Sequence, residues 1–254
     1  MIENICNDVK VYTLNDESEA SPAADAVING KITIVKNGSV YSIVYDPRIV
    51  DLTDKVNLLK GRKKEQSMSL VCTYEQGKKI VDRNRVNEDF FRLSPDFCSR
   101  VIIRIPVDIG GEMPFPYISD KGTCQFIDFA NAHPVNGAFT KELAKRGCEY
   151  LSITSANINS EPTIEDLESA KKLAILFNQK ALSLGMQGIE TVVVDIPSNK
   201  GFYKGSYIIL SFCEQSAIEV KRLANKKDRE VTERQLTKMF ANVQTMTPLV
   251  YALT

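Results

Sequence analysis

The chain is 254 residues long, 43% hydrophobic and 25% charged, with 32 basic and 32 acidic side chains and so no net charge. That size and balance suit one globular domain, or one plus a small appendage, and leave no global field to draw in nucleic acid or a membrane surface. No apolar run approaches membrane-spanning length, no secretory leader is expected, and a single histidine, His133, excludes metal centres built on several imidazoles.

The expected organisation is an N-terminal extension over 1–20, an α/β domain over 21–213 and a helical C-terminal extension over 214–254. A short strand is expected at 9–12. Ser21 and Pro22 read as the cap and first turn of a helix that stops at Gly30. Residues 31–35 and 39–45 read as strands joined through Asn37-Gly38, a strong hairpin turn. A helix over 51–59 leads to a basic run containing Lys60, Arg62, Lys63 and Lys64. Strands follow at 67–73, 100–105, 125–129, 150–153, 191–195 and 206–212. Helices are expected at 74–83, 87–93, 136–146, 164–184 (capped by Thr163), 214–225 and 233–241. Residues 106–124 are rich in Gly and Pro and read as a long loop suited to a lid. The basic residues of 221–229 read as a solvated helix face. Interspersed strands and helices with local hairpins imply a twisted mixed sheet flanked by helices, with a concave cleft. Six cysteines (Cys6, Cys72, Cys98, Cys124, Cys148, Cys213) show no C-x-x-C spacing, so reduced thiols in a cytoplasmic protein are expected.

Two short motifs carry the chemistry. The strand at 150–153 runs into Thr154, Ser155 and Asn157, and the two-residue spacing of Ser155 and Asn157 puts both side chains on one side of an extended backbone. A hydroxyl and an amide at a strand's C-terminal end suit phosphate or ribose oxygens. Lys60 and Arg62 have the same spacing: a compact ammonium and a bidentate fork, suited to phosphates and carboxylates. Their side chains are expected to face one cleft, with Lys63 and Lys64 left in solvent. The start of the next helix, just after Asn157, would favour an anion. His133, beside Pro134, reads as a plain loop histidine or, less simply, as a general base.

These motifs together resemble the YrdC-like threonylcarbamoyl-AMP synthase family. The carriers are Lys60-Gly61-Arg62, Thr154-Ser155-Ala156-Asn157 with Glu161-Pro162 behind it, and Ser39-Val40-Tyr41 ahead; Thr191 to Asp195 is a weaker echo. The resemblance covers about residues 24–215 and implies a single α/β domain with a large cleft. It implies condensation of L-threonine, bicarbonate and ATP, with Mg²⁺, into threonylcarbamoyl-adenylate and pyrophosphate for tRNA modification. Lys60 and Arg62 would then bind phosphates and the carboxylate of the carbamate, while Ser155 and Asn157 would hold phosphate or ribose, flanked by Thr154 on the substrate. Asn37, Ser39, Tyr41 and Cys72 would line the amino-acid side. Asn37 stands where the family has Thr, Ser42 where it has Gly, Cys72 where it often has His, and Phe129 and Ser211 where it has Arg. Two functions follow: an adenylate-forming enzyme, with threonine or another amino acid as substrate, or a degenerate module that binds nucleotide or RNA without turnover. For the second, Lys60, Arg62, Lys63 and Lys64 with Lys78, Lys79, Arg83 and Arg85 would supply a basic face for tRNA or double-stranded RNA. A weaker third reading is a partner-docking subunit that uses the C-terminal helices.

Overall fold

A computed structural model describes residues 8–49, 51–64, 66–108, 122–159, 161–199, 209–215, 217–222 and 249–251. Alternating and continuous apolar runs build one mixed sheet of 11 strands. In chain order these are β1 (Val11–Thr13), β2 (Ile32–Asn37), β3 (Val40–Tyr45), β4 (Ser69–Val71), β5 (Ile102–Pro106), β6 (Thr123–Ile127), β7 (Leu151–Ser155), β8 (Thr191–Asp195), β9 (Ile209–Glu214), β10 (Ala217–Arg222) and β11 (Leu249–Tyr251). Their spatial order is β1-β8-β2-β3-β7-β4-β6-β5-β9-β10-β11. The helices are α1 (Ala20–Ile28), α2 (Leu52–Lys60), α3 (Tyr74–Ile80), α4 (Pro95–Cys98), α5 (Pro134–Lys145) and α6 (Leu167–Ser183).

The burial of each strand records what covers it. Strands β2, β3 and β8 are buried almost throughout, as strands sandwiched between helices must be. One face packs against α2, α3 and α6, and the other against α1 and α5. Strands β5 and β6 alternate between half-buried and buried positions, so one of their faces is only partly covered. Their covered face packs on Phe90, whose ring meets Tyr74, Phe91, Phe126 and Phe212 edge-to-face at 5.3 to 6.3 Å.

Several expectations are corrected. Within the helix expected at 214–225, Ala217–Arg222 is strand β10, antiparallel to β9; its alternation of apolar and charged residues also fits a strand's period of two. The sheet runs across both expected domain boundaries, with β1 beside β8 at one edge and β10 and β11 at the other. The 87–93 helix is a 3-10 turn, Glu88–Arg92, capped by the Asn87 side chain. Asp166, not Thr163, caps α6, its carboxylate accepting from Ser169 N at 2.8 Å. The helix expected from Ser21 starts at Ala20, after a 3-10 turn capped by Asp16. Residues 109–121 of the expected lid, the helix over 233–241 and most of the 221–229 basic run lie outside the described residues.

Gly77 sits inside α3, where a Cβ would meet the Phe126 ring at 2.8 Å. Phe126 is fully buried and has no room to withdraw. Gly77→Ala is therefore expected to lower the free energy of unfolding by about 1–3 kcal/mol despite alanine's better helix propensity, as read by urea denaturation.

Candidate functional site at the 154–157 loop

The site begins with strand pairing. β7 lies antiparallel to β3, with Ser155 opposite Ser42 and Thr154 opposite Ile43. Beyond β7 the chain stays on β3: Ala156 N donates to Tyr41 O at 3.1 Å, and Tyr41 N donates to Ile164 O at 2.8 Å. Ile164 N closes the loop by donating to Ala156 O at 3.2 Å. Within it, Ser155 Oγ donates to Asn157 Oδ1 at 2.7 Å, so the two side chains share one side as their spacing requires.

α2 delivers the cations. It ends at Lys60 because Gly61 takes φ +72°. Arg62 N returns to Asn57 O at 2.8 Å and Gly61 N to Leu58 O at 3.0 Å, a Schellman closure. Lys180 of α6 adds a cation at this negative helix end, donating to Leu59 O at 2.9 Å. Asn57 Nδ2 donates to Lys64 O and Gln66 O, both at 2.9 Å, and so fixes the following segment.

The cationic pair and the polar loop meet. Lys60 Nζ donates to Ser155 O, to Asn157 O at 2.7 Å and to Asn157 Oδ1 at 2.8 Å. Arg62 Nη1 donates to Thr154 Oγ1 at 2.8 Å. The expectation that both cations face ligand is corrected for Lys60: the side chain is fully buried and its ammonium is spent on the loop. Arg62 is half-buried, and its Nε has no hydrogen-bond partner. Lys63 and Lys64 stay in solvent as expected, Lys64 beside Asp54 at 3.1 Å.

The remaining predicted residues divide. Asn37 ends β2 and Ser39 lies in the hairpin turn; extending the β3–β7 register brings this tip level with Asn157. Tyr41 contributes its backbone to the loop, but its hydroxyl donates to Asp195 at 2.5 Å. Burial, then that bond, pushes the phenol well above its usual range. Lys36 lies 4.7 Å from the Tyr41 ring centroid and donates to Glu165 O at 2.7 Å. The sequence reading missed this cluster, although the Asp closing the T-V-V-V-D strand was its one visible signal. Cys72 does not join the site. It follows Val71, which pairs with Leu151, so it lies beyond the far end of β7, level with Tyr150 and roughly 17 Å along the strand from Ser155 at about 3.3 Å per residue. His133 is also at that end, as the cap of α5: Nδ1 accepts from Val135 N at 3.3 Å. Burial lowers its pKa, consistent with a neutral capping imidazole.

Solved structures of known proteins share this architecture. Sua5 from P. abyssi matches with TM-score 0.63 and 14% identity; in one structure the match covers 94% of this chain and 65% of that one. In the structure complexed with L-threonine it covers 86% and 58%. E. coli YciO matches with TM-score 0.61 and 12% identity, over 88% of this chain and 99% of that one. The chain has the YrdC/Sua5-like fold. HypF in its phosphate- and nucleotide-bound form matches with TM-score 0.59 and 18% identity, over 81% of this chain and 29% of that one. The chain spans less than two thirds of the Sua5 chains it matches. No protein-family model and no curated protein sequence matches it. No helix among the described residues is long and apolar enough to cross a membrane.

Two effects oppose each other at Lys60. Burial, and then the Arg62 charge, pull its pKa from 10.5 to about 6. Its three oxygen acceptors match the three N–H of the charged form. The unfolded chain holds this proton up to about pH 10.5, whereas the folded state releases it from about pH 6 upward. Stability due to Lys60 is thus fully present above the unfolded pKa and is lost as pH falls toward the folded one. Relative to Lys60→Met, urea denaturation between pH 6 and 10 is expected to show wild-type stability rising with pH, by at most about 1.4 kcal/mol per unit. A flat difference would mean that the oxygen cage keeps the proton.

Proposed function

We propose that this chain is a nucleotide-binding, adenylate-forming enzyme. It joins a carbamate, made from bicarbonate and an amino acid such as threonine, to the α-phosphate of ATP with release of pyrophosphate. One observation carries this reading: motifs 95 residues apart, Lys60–Arg62 and Thr154–Asn157, interlock at the end of the sheet. Ser155 and Asn157 present a hydroxyl and an amide to phosphate and ribose oxygens. Arg62, with its free buried Nε, supplies the charge for the phosphates. Lys60 holds the loop in the geometry that receives them. Sua5 has been solved with L-threonine and HypF with nucleotide, which supports the same use of the fold here.

The chemistry asks for positioning and charge neutralisation, because the carbamate oxygen is itself the nucleophile. None of the described thiols is primed for that role: burial raises Cys72, Cys98 and Cys213, and pushes Cys124 and Cys148 up to about 12. Among the described residues, no three His, Cys, Asp or Glu side chains converge on a metal position. The described residues therefore do not form a dedicated Mg²⁺ cage; Mg²⁺ would be carried by the triphosphate, and no step is assigned to it.

A second reading, nucleotide binding without turnover, draws on Lys60 being committed to loop oxygens and on Phe129 and Ser211 being buried. The RNA version is weaker, since Lys64, Lys78 and Arg85 each sit beside an acid within 4 Å. Incubation with ATP, bicarbonate, Mg²⁺ and a panel of amino acids separates the readings. Pyrophosphate release that requires bicarbonate and falls to background in Arg62→Ala supports the enzyme. Release no greater than that variant's, with ATP still bound, supports the binding module. Arg62→Ala is expected to weaken ATP binding at least tenfold, as loss of a charged hydrogen bond does.

A further inference from the structure

The faces of the sheet differ, and the difference runs row by row. On the side covered by α1 and α5, Leu151, Val71 and Ile127 form an apolar row across β7, β4 and β6. One row closer to the 154–157 loop, on the same face, the register aligns Ser69, Gln125, Arg104 and Ser211 across β4, β6, β5 and β9. Ser69, Gln125 and Arg104 are half-buried, where the neighbouring row is packed under helices. With its amide turned to suit its neighbours, Gln125 accepts from both Arg104 Nη2 and Arg104 Nε. Ser69 Oγ lies 3.3 Å from the other side of that amide. Ser211 Oγ is buried with no hydrogen-bond partner. The weakly accepting Cys213 thiol, raised by burial, lies close to Ser211 Oγ and also in the field of Arg104. Arg104 makes no ion pair among the described residues. The register partner of Ser211 on β10 is Glu219.

We infer that this partly covered face carries a second anion-binding position, with Arg104 as its charge and Ser69, Gln125 and Ser211 as its hydrogen-bonding surround. It takes the distal phosphates of the same nucleoside triphosphate whose α-phosphate the 154–157 loop holds. A planar guanidinium held by one amide oxygen keeps donors free for a phosphate. A hydroxyl left unpaired costs stability unless a ligand oxygen fills it. Ser155 points to this same face, since it pairs with Ser42 and alternates with Ile153. Three strand spacings separate β7 from β5, roughly 14 Å at about 4.8 Å each. With the reach of the arginine side chain, that gap suits an extended polyphosphate and is too wide for one phosphate to bridge.

This inference rests on the nucleotide reading above, and comparing ATP with AMP separates the two. Titration calorimetry at low salt, with circular dichroism as the check on folding, is run on wild type, Arg104→Met and Arg104→Lys. The expected result is ATP affinity lowered about tenfold or more in Arg104→Met, partly restored in Arg104→Lys, and AMP affinity unchanged in both. Equal ATP affinity in wild type and Arg104→Met overturns the second position and leaves the nucleotide reading standing. An equal fall for ATP and AMP also overturns it, because the charge then serves the shared phosphate. A wild-type protein that binds neither nucleotide overturns both.

Discussion

The buried Lys60 Nζ, held on three loop oxygens, is the constraint from which the rest of this molecule's chemistry follows. Lys60 is the last residue of α2, and the loop it holds is the continuation of β7. One contact thus fixes a helix end against a strand end, and both carry candidate ligand groups. The arrangement is costly, because an ammonium out of water needs every N–H satisfied. It persists because the strand end supplies carbonyls already freed from the ladder. Ser155 O also accepts from Asn157 N at 3.1 Å, so the lysine ties to α2 a loop that is already bonded to itself.

The asymmetry of the sheet gives that contact its setting. In the β8-β2-β3 half, helices lie on both sides and the strands are buried almost throughout. Toward β5 and β6 the cover on one side becomes partial, and polar side chains appear at alternate positions. The 154–157 loop lies where the covered half meets the partly covered one. Arg62 approaches it from the α2 side through Thr154, while Ser155 looks onto the partly covered face. A ligand at the loop would therefore touch a protein surface whose polarity changes within one strand spacing.

Much of this was legible before any coordinates. The two-residue spacings of Lys60 with Arg62 and Ser155 with Asn157 led to groups that do meet, and the central strands and longer helices lie close to where their periodicity puts them. What failed had physical causes. Residues 217–222 have enough charge to look like a helix face, yet pairing with β9 decides their state. Cys72 was placed by analogy of motif, and only the register with Leu151 shows that it faces the wrong end of β7. That Lys60 would turn inward could not be read, because two of its three partners are backbone oxygens, which no sequence displays. The row through Arg104 was hidden for a related reason: its members come from strands far apart in the chain, aligned by tertiary register alone.

Strand β1 pairs in parallel with β8, Val11 lying beside Val193. A nascent chain thus exposes its first strand long before that strand's neighbour has been synthesised. During that interval the segment must stay unpaired or seek a temporary partner, since parallel ladders join distant stretches and close late. The amino-terminal edge is therefore the last piece of this half of the sheet to become ordered during translation.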